Sequence, residues 1–232
     1  VVAWAESLQA TYAYKVVDEA PTNTWTQASS DTTNGYRWSD TANWAQAWIV
    51  TNGVYALFNR EAGSDVALNA ETRATGIIVA EEAGQVTITA NSASYVLGLR
   101  RNGDGYPNVI NLSSNPIVIN APVKFEWGSS AQTVGVMPGV VFKLAVNFDS
   151  NNVKTMKFYD GDASKSDEMN TTTIQNSMNC GSGIEIYQMP DHKVVLDGAN
   201  SSLSCGKYNL RAPLVVNGGT LTVPNFYDGG QK

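Results

Sequence analysis

The sequence IVINAPV, at residues 117–123, joins two short apolar segments through an Asn-Ala-Pro corner. Similar phrases return as LRAPLVV at residues 210–216 and as GGTLTV at residues 218–223. From about residue 65 onward, short β-branched segments alternate with polar turns, and their starts recur about every 8 to 12 residues. Weak self-similarity without a strict period is typical of imperfectly stacked coils. The sequence therefore predicts an all-β solenoid, with a β-sandwich as the alternative.

The core of this solenoid should consist of apolar residues within the short segments. We predict inward positions for Ile77, Ile88, Val118, Ile119 and Leu144. The positions are chosen because each of them lies within a short apolar run.

The composition excludes several classes of function. The 232 residues carry a net charge of −6, and only 16% of them are charged. Nucleic-acid binding needs clustered Lys and Arg, whereas the densest basic pair, Arg100 and Arg101, is followed three residues later by the acidic Asp104. No apolar run approaches the roughly 20 residues of a membrane span. We expect no nucleic-acid partner and no transmembrane segment in this chain.

The tryptophans divide the chain into two parts. Five of the six lie in the first 60 residues, so we predict a Trp-rich cap over residues 1–60 and a β-helical domain over residues 61–232. A polar, acidic segment at about residues 149–179 is predicted to interrupt the repeats as an insertion.

The tryptophans of the cap could either plug the end of the solenoid or form a platform for a glycan. Shielding an open sheet edge favours the plug, which we assign to Trp38, Trp44 and Trp48. Trp25 lies in an Asn/Thr-rich loop, and it is the ring that we expect to contact a ligand.

The two cysteines, Cys180 and Cys205, are 25 positions apart, which approximates one coil of a solenoid. Stacked coils would bring them within the Cα distance of about 7 Å that a disulfide needs. We predict a disulfide between them, with two free buried thiols as the alternative.

Several phrases resemble a known bacterial family. RATGIIV at residues 73–79, GQVTIT at 84–89, NAPV at 120–123 and GGTLTV at 218–223 are similar to the autotransporter-associated β-strand repeat. WSDTANW at residues 38–44 is similar to the opening that often precedes such repeats. The resemblance implies a right-handed parallel β-helix of the pectin-lyase-like kind. It also implies export to the cell surface or the medium, and roles that range from stalks and adhesins to glycan-active enzymes and proteases.

Catalytic motifs are weak in this chain. Neither Asp-Thr/Ser-Gly loop of a pepsin-like protease occurs, and there is no Gly-x-Ser-x-Gly elbow for the single histidine, His192, to serve. Glycoside hydrolysis needs only two carboxylates about 5 to 9 Å apart, so Asp149, Asp160 and Asp162 are candidate catalytic residues. We expect no metal site and no cofactor.

The sequence favours an exported bacterial β-helical domain that recognises or adheres to host glycans or glycoproteins such as mucin. The alternative is a secreted, carboxylate-dependent hydrolase of glycoproteins. It would be either an acid protease of unusual fold or a glycan-cleaving enzyme.

Overall fold

The protein is a parallel β-helix, as the sequence predicts. The computed structural model describes residues 21–33, 35–51, 53–101, 107–127, 133–149 and 151–228. Within these ranges there are 23 strands in three sheets, and from residue 55 onward the chain visits the three sheets in turn, so that each full coil contributes one strand to each sheet. All the pairings between named strands are parallel and in register.

Sheet A has nine strands, which are β1 (Thr22–Thr24), β2 (Tyr55–Phe58), β5 (Gly76–Val79), β8 (Val109–Asn111), β11 (Thr133–Val136), β14 (Thr155–Phe158), β17 (Glu185–Gln188), β20 (Lys207–Leu210) and β23 (Phe226–Asp228). Sheet B has seven, which are β3 (Ser64–Leu68), β6 (Val86–Ala90), β9 (Ile117–Asn120), β12 (Val140–Phe142), β15 (Thr171–Ile174), β18 (Lys193–Asp197) and β21 (Leu214–Asn217). Sheet C also has seven, which are β4 (Thr72–Ala74), β7 (Leu97–Arg101), β10 (Val123–Trp127), β13 (Val146–Phe148), β16 (Ser177–Asn179), β19 (Ser202–Ser204) and β22 (Thr220–Thr222).

The interior of the helix is filled by alternate residues of each strand. Ile77, Ile88 and Ile119 are fully buried in this core, which confirms their predicted inward positions. The prediction is wrong for Val118, because it alternates with two buried isoleucines on β9 and therefore points outward. It is also wrong for Leu144, which follows the end of β12 in a corner and is only half-buried.

The coils vary in length, which explains why the sequence shows no strict period. Register partners in sheet A are 18 residues apart at Tyr208 and Phe226 but 32 apart at Ile77 and Val109. The similar phrases also occupy different corners. NAPV at residues 120–123 turns from sheet B to sheet C, whereas LRAPLVV at residues 210–216 turns from sheet A to sheet B.

The tryptophans at the N-terminal end form a packed cluster. Trp44 makes edge-to-face contacts with Trp25 and Trp38, at ring-centroid distances of 4.9 and 5.0 Å. The indole N–H of Trp44 donates to the Trp38 carbonyl at 2.8 Å. Trp38 and Trp44 are buried, as the plug prediction requires, but Trp48 is 37% exposed, so its assignment to the plug is wrong. Its backbone carbonyl accepts a hydrogen bond from Asn23, and its ring takes no part in the cluster's ring contacts among the described residues.

The division into a cap and a β-helical domain stays a prediction, and residues 1–20, 34 and 52 of the predicted cap lie outside the described residues. The polar segment 149–179 supplies β14, β15 and β16, each paired in register with its neighbours. Its additional length lies between β14 and β15, at the corner from sheet A to sheet B. The Lys165 ammonium anchors this corner by donating to the Leu112 carbonyl at 3.1 Å.

Helical structure in the described ranges is limited to one 3-10 turn, Thr41–Asn43, in which the Ala42 amide donates to the Asp40 carboxylate. None of the described residues therefore belongs to a helix that could span a membrane.

Candidate functional site

The outward-facing side of sheet A carries the best candidate site. Parallel register aligns its side chains in rows that cross the coils, and neighbouring strands lie about 4.8 Å apart. One row runs from Gly135 on β11 through Lys157, Tyr187 and Asn209 to Tyr227 on β23. Residues that are far apart in sequence thus become neighbours on one surface.

A second row lies beside the first, and its character changes along the solenoid. Leu57, Ile78 and Ile110 pair in register at the N-terminal end. Beyond the C-terminal ends of the later strands of sheet A, backbone hydrogen bonds keep the same parallel register, so this row continues from coil to coil. Its later members are Met137, Tyr159, Met189 and Arg211.

An open groove of about 390 Å³ lies over the C-terminal part of these rows. We call it the outer groove. It is lined by Thr133, Thr155, Lys157, Tyr159, Tyr187, Met189 and Arg211. The lining therefore combines aromatic rings, hydroxyl groups and two cationic side chains, which is a chemistry suited to polar ligands with flat faces.

Tyr159 forms the fixed floor of the outer groove. Its ring lies against Gly135, where an added Cβ would stand 2.6 Å from Cε2 of the ring. The Lys157 ammonium lies 4.6 Å from the centre of the same ring. The backbone carbonyl of Tyr159 is hydrogen-bonded to Nδ1 of His192, at 2.6 Å. These contacts hold the ring in one place before any ligand binds.

His192 is a buried structural residue. It is fully shielded from solvent, and its Nε2 lies 2.8 Å from the hydroxyl of Thr172. Burial lowers the pKa of His192 to about 4, against a weaker opposing effect of the Tyr159 carbonyl. The ring is therefore neutral at physiological pH, and it lacks the solvent access that a general base for an external substrate requires.

Tyr187 is the more accessible ring of the outer groove. Its hydroxyl donates to the Glu185 carboxylate at 2.9 Å, and that hydrogen bond raises the pKa of Tyr187. Lys207 lies 3.6 Å from the same carboxylate and 4.5 Å from the centre of the Tyr227 ring. The Glu185 carboxylate thus interacts with both the Tyr187 hydroxyl and the Lys207 ammonium, and its hydrogen bond orients the Tyr187 ring at the surface.

The N-terminal part of the outward side is apolar and buried. Tyr55, Ile78, Ile110, Met137 and Tyr159 form a hydrophobic cluster that is separate from the interior core. None of them is more than 8% exposed. Among the described residues, the side chains of this cluster are closed to solvent, and Tyr159 is the member that reaches the outer groove, as its floor.

The candidate catalytic carboxylates occupy two different corners. Asp149 follows β13 at the corner from sheet C to sheet A, where it accepts hydrogen bonds from Asn151 and Asn152. Asp160 and Asp162 follow β14 at the corner from sheet A to sheet B. The strand between these corners spans about 10 Å from its first to its last Cα. The structure thus keeps Asp149 at the opposite end of β14 from the other two, and their catalytic role stays a prediction.

Asp162 is engaged in its own turn. It is nearly buried, and one of its carboxylate oxygens accepts both the amide and the hydroxyl of Ser164, at 2.9 and 2.6 Å. Among the residues that the structure describes, no group of three or more His, Cys, Asp or Glu side chains could hold a metal ion.

Cys180 and Cys205 do not form the predicted disulfide. The register of β16 and β19 places them side by side on adjacent coils, but both are buried free thiols. Side-by-side residues on parallel strands keep their Cβ atoms near the strand spacing of about 4.8 Å, beyond the roughly 3.5 to 4.5 Å of a disulfide. Burial raises the pKa of Cys205 to about 11 and holds the pKa of Cys180 well above its usual range, so both thiols stay protonated.

The expected ligand contact at Trp25 is wrong. Its side chain is fully buried between Trp44 and Phe58. The surrounding polar sequence suggested a loop, but Trp25 pairs with Trp44 in an antiparallel bridge, and its amide donates to the Leu57 carbonyl. The bridge turns the ring into the cap, away from solvent.

Sequence reasoning missed the outer groove. Lys157, Tyr187 and Arg211 are separated by 30 and 24 positions, and only the strand register brings them together. An indication was available in the alternation of Lys157 and Tyr159 with the buried Met156 and Phe158, which already predicts that the first two face outward.

Comparison with protein families, with curated proteins and with solved structures finds no match for this chain.

Proposed function

We propose that this chain is an exported bacterial β-helical domain that recognises an extracellular glycan, either free or on a host glycoprotein such as a mucin, through the outer groove. The observation that carries the proposal is the combination of the accessible Tyr187 ring with hydroxyl and cationic side chains on one pre-formed surface. Sugar rings present apolar faces and hydroxyl edges, so an aromatic ring beside hydrogen-bonding side chains complements both.

The location of the groove supports binding by side chains alone. Strands β11, β14, β17 and β20 are each paired on both sides within sheet A. Their backbone groups are therefore engaged, and recognition rests on what the side chains of the rows present. This arrangement suits an elongated chain that lies across the coils, because each row runs along the solenoid axis and presents one side chain per coil.

Export and a bacterial origin rest on the resemblance to the autotransporter-associated β-strand repeat. The low charge and polar, turn-rich composition are compatible with such surface domains. Recognition is preferred to hydrolysis because the outer groove contains no carboxylate among its described lining residues, whereas glycoside hydrolysis uses a pair of them.

A glycan array tests the proposal directly. The wild-type protein should bind a defined subset of glycans, and Tyr187→Ala should weaken that binding by about tenfold or more, equivalent to about 1.4 kcal/mol. Trp48→Ala is the matched control, because Trp48 is an exposed aromatic residue of the cap outside the groove. Loss of binding in Trp48→Ala with full binding in Tyr187→Ala would contradict the proposed site.

Incubation with a mucin-like glycoprotein separates recognition from hydrolysis. The proposal expects capture of the glycoprotein without fragments between about pH 4 and pH 7. Fragments that disappear on replacing Asp149 or Asp160 by Asn would instead establish the hydrolase.

A further inference from the structure

The charge of the outer groove is opposite to that of the whole chain. The protein has a net charge of −6, yet the described residues that line the groove include two cations, Lys157 and Arg211, and no Asp or Glu. Glu185 lies on the same face, but its carboxylate is occupied by the Tyr187 hydroxyl and the Lys207 ammonium. The groove therefore presents a local positive field that favours an anionic ligand.

We propose that the outer groove binds an acidic glycan in which alternate sugar residues carry an anionic group, with Lys157 and Arg211 as the anion-binding residues. This inference rests on the proposed function and specifies its ligand class.

The spacing of the two cations supports alternation. Lys157 is on β14 and Arg211 follows β20, so they are two coils apart, with the Tyr187 coil between them. Two strand spacings amount to about 10 Å along the solenoid axis, and the two cations stand in neighbouring rows, about 7 Å apart across the axis. One strand spacing is close to the length of a single pyranose residue. A glycan that runs along the solenoid axis would place one sugar over each coil. Its anionic groups would meet Lys157 and Arg211, and the sugar between them would lie over Tyr187.

The side chains fit the separate parts of such a ligand. Arg211 can form two parallel hydrogen bonds with a carboxylate or sulfate, and Lys157 supplies a point charge. Thr133 and Thr155, which are register partners, offer hydroxyl groups beside Lys157.

An acidic peptide is a less suitable occupant of this face. A peptide that binds a sheet gains most of its affinity by pairing with a free edge strand. The four strands beneath the groove have no free edge, since each is hydrogen-bonded to a neighbour on both sides.

The test is a titration of the protein with four probes. They are a hyaluronan oligosaccharide, which has a carboxylate on every second sugar, its carboxyl-reduced neutral counterpart, a keratan sulfate oligosaccharide and a poly-glutamate peptide. We expect binding of hyaluronan, of keratan sulfate, or of both, which identifies the anionic group. Where hyaluronan binds, its neutral counterpart should bind about tenfold more weakly, and the affinity for each acidic glycan that binds should fall as salt rises.

Substitutions locate the anion-binding residues. Lys157→Gln and Arg211→Gln should each weaken binding of the acidic glycan by about tenfold or more. Lys143→Gln is the matched control, because Lys143 is an exposed lysine that follows β12 on sheet B, and it should bind like the wild type. Unchanged melting temperatures would show that the variants remain folded.

Each contrary result has a distinct meaning. Equal binding of the neutral and acidic probes would overturn the acidic preference and leave glycan recognition in place. Binding of poly-glutamate as tight as that of the glycans would overturn the choice of a glycan. An array on which the protein binds neutral glycans alone would reject this inference only, whereas an array without any bound glycan would reject the proposed function with it.

Discussion

The two halves of the outward side of sheet A have the same backbone but different surfaces. In the N-terminal half, one row of register partners consists of Leu57, Ile78 and Ile110, and the two isoleucines are buried. In the C-terminal half, the same row continues through Met189 to the exposed Arg211. The difference teaches that a parallel β-helix fixes where side chains stand, whereas the residue types of each coil decide whether a surface stabilises the fold or binds a ligand.

The largest expected effect is a charge placed in the buried half. Ile110→Asp should lower the free energy of unfolding by several kcal/mol, because it buries an unpaired carboxylate. Arg211→Asp, on the same row, should change it by no more than about 0.5 kcal/mol, because the side chain is exposed. Urea denaturation of both variants measures the difference. Similar losses in the two would show that the halves are not distinct.

The next effect concerns the pH dependence of stability through His192, which holds the carbonyl of Tyr159 where the two halves meet. The pKa of His192 is lowered from 6.5 to about 4 by burial. Below pH 6.5 the His192 side chain therefore binds a proton in the unfolded chain but not in the folded chain. The contribution of His192 to the free energy of unfolding should be fully present above pH 6.5 and should fall by about 3 kcal/mol as the pH drops towards 4.

Chemical denaturation at several pH values measures this slope. His192 is the single histidine of the chain, so His192→Gln should lose stability overall but show a flatter profile between pH 6.5 and 4.5. A profile as steep as that of the wild type would refute a neutral, buried His192.

A smaller effect is expected at the boundary between the halves. Gly135→Ala would bring a methyl group against the Tyr159 ring and the Lys157 carbonyl, and such overpacking typically costs about 1 to 3 kcal/mol. Gly183→Ala is the control, because an added Cβ there meets nothing within 4 Å. Thermal melts of both variants test the contact, and equal melting temperatures would mean that Tyr159 does not rest on Gly135.

The smallest expected effect on stability is in the outer groove itself. Tyr187→Ala should change the free energy of unfolding by about 0.5 kcal/mol or less, because this ring is accessible at the surface. The same variant should lose glycan binding. If its stability instead fell by several kcal/mol, Tyr187 would be a packing residue like Ile110, and the contrast between the halves would disappear.

Much of the fold could be predicted from sequence because it depends on local patterns. Short β-branched segments with Asn, Gly and Pro at the corners indicated stacked coils, and Ile77, Ile88 and Ile119 were placed correctly in the core. Val118 shows the limit of this reasoning. An apolar run of three residues does not reveal which of them face inward, since the strand's phase is set by its neighbours.

The features that sequence did not predict depend on contacts across coils. Trp25 was misplaced because its bridge to Trp44 spans 19 positions. The outer groove was missed because coils of unequal length bring Lys157, Tyr187 and Arg211 together. The cysteines illustrate the remaining case, in which proximity was predicted but the side-chain geometry of a disulfide was not met.

The most direct test of the account compares two methionines on the same row. Met137 lies in the buried half and Met189 lines the outer groove, and the chain has only five methionines to assign. With 13C-labelled methionine methyl groups, titration with a glycan that binds should shift the Met189 resonance and leave Met137 unchanged. A bound glycan that shifts Met137, or that leaves Met189 unmoved, would contradict the assignment of the outer groove as the recognition site.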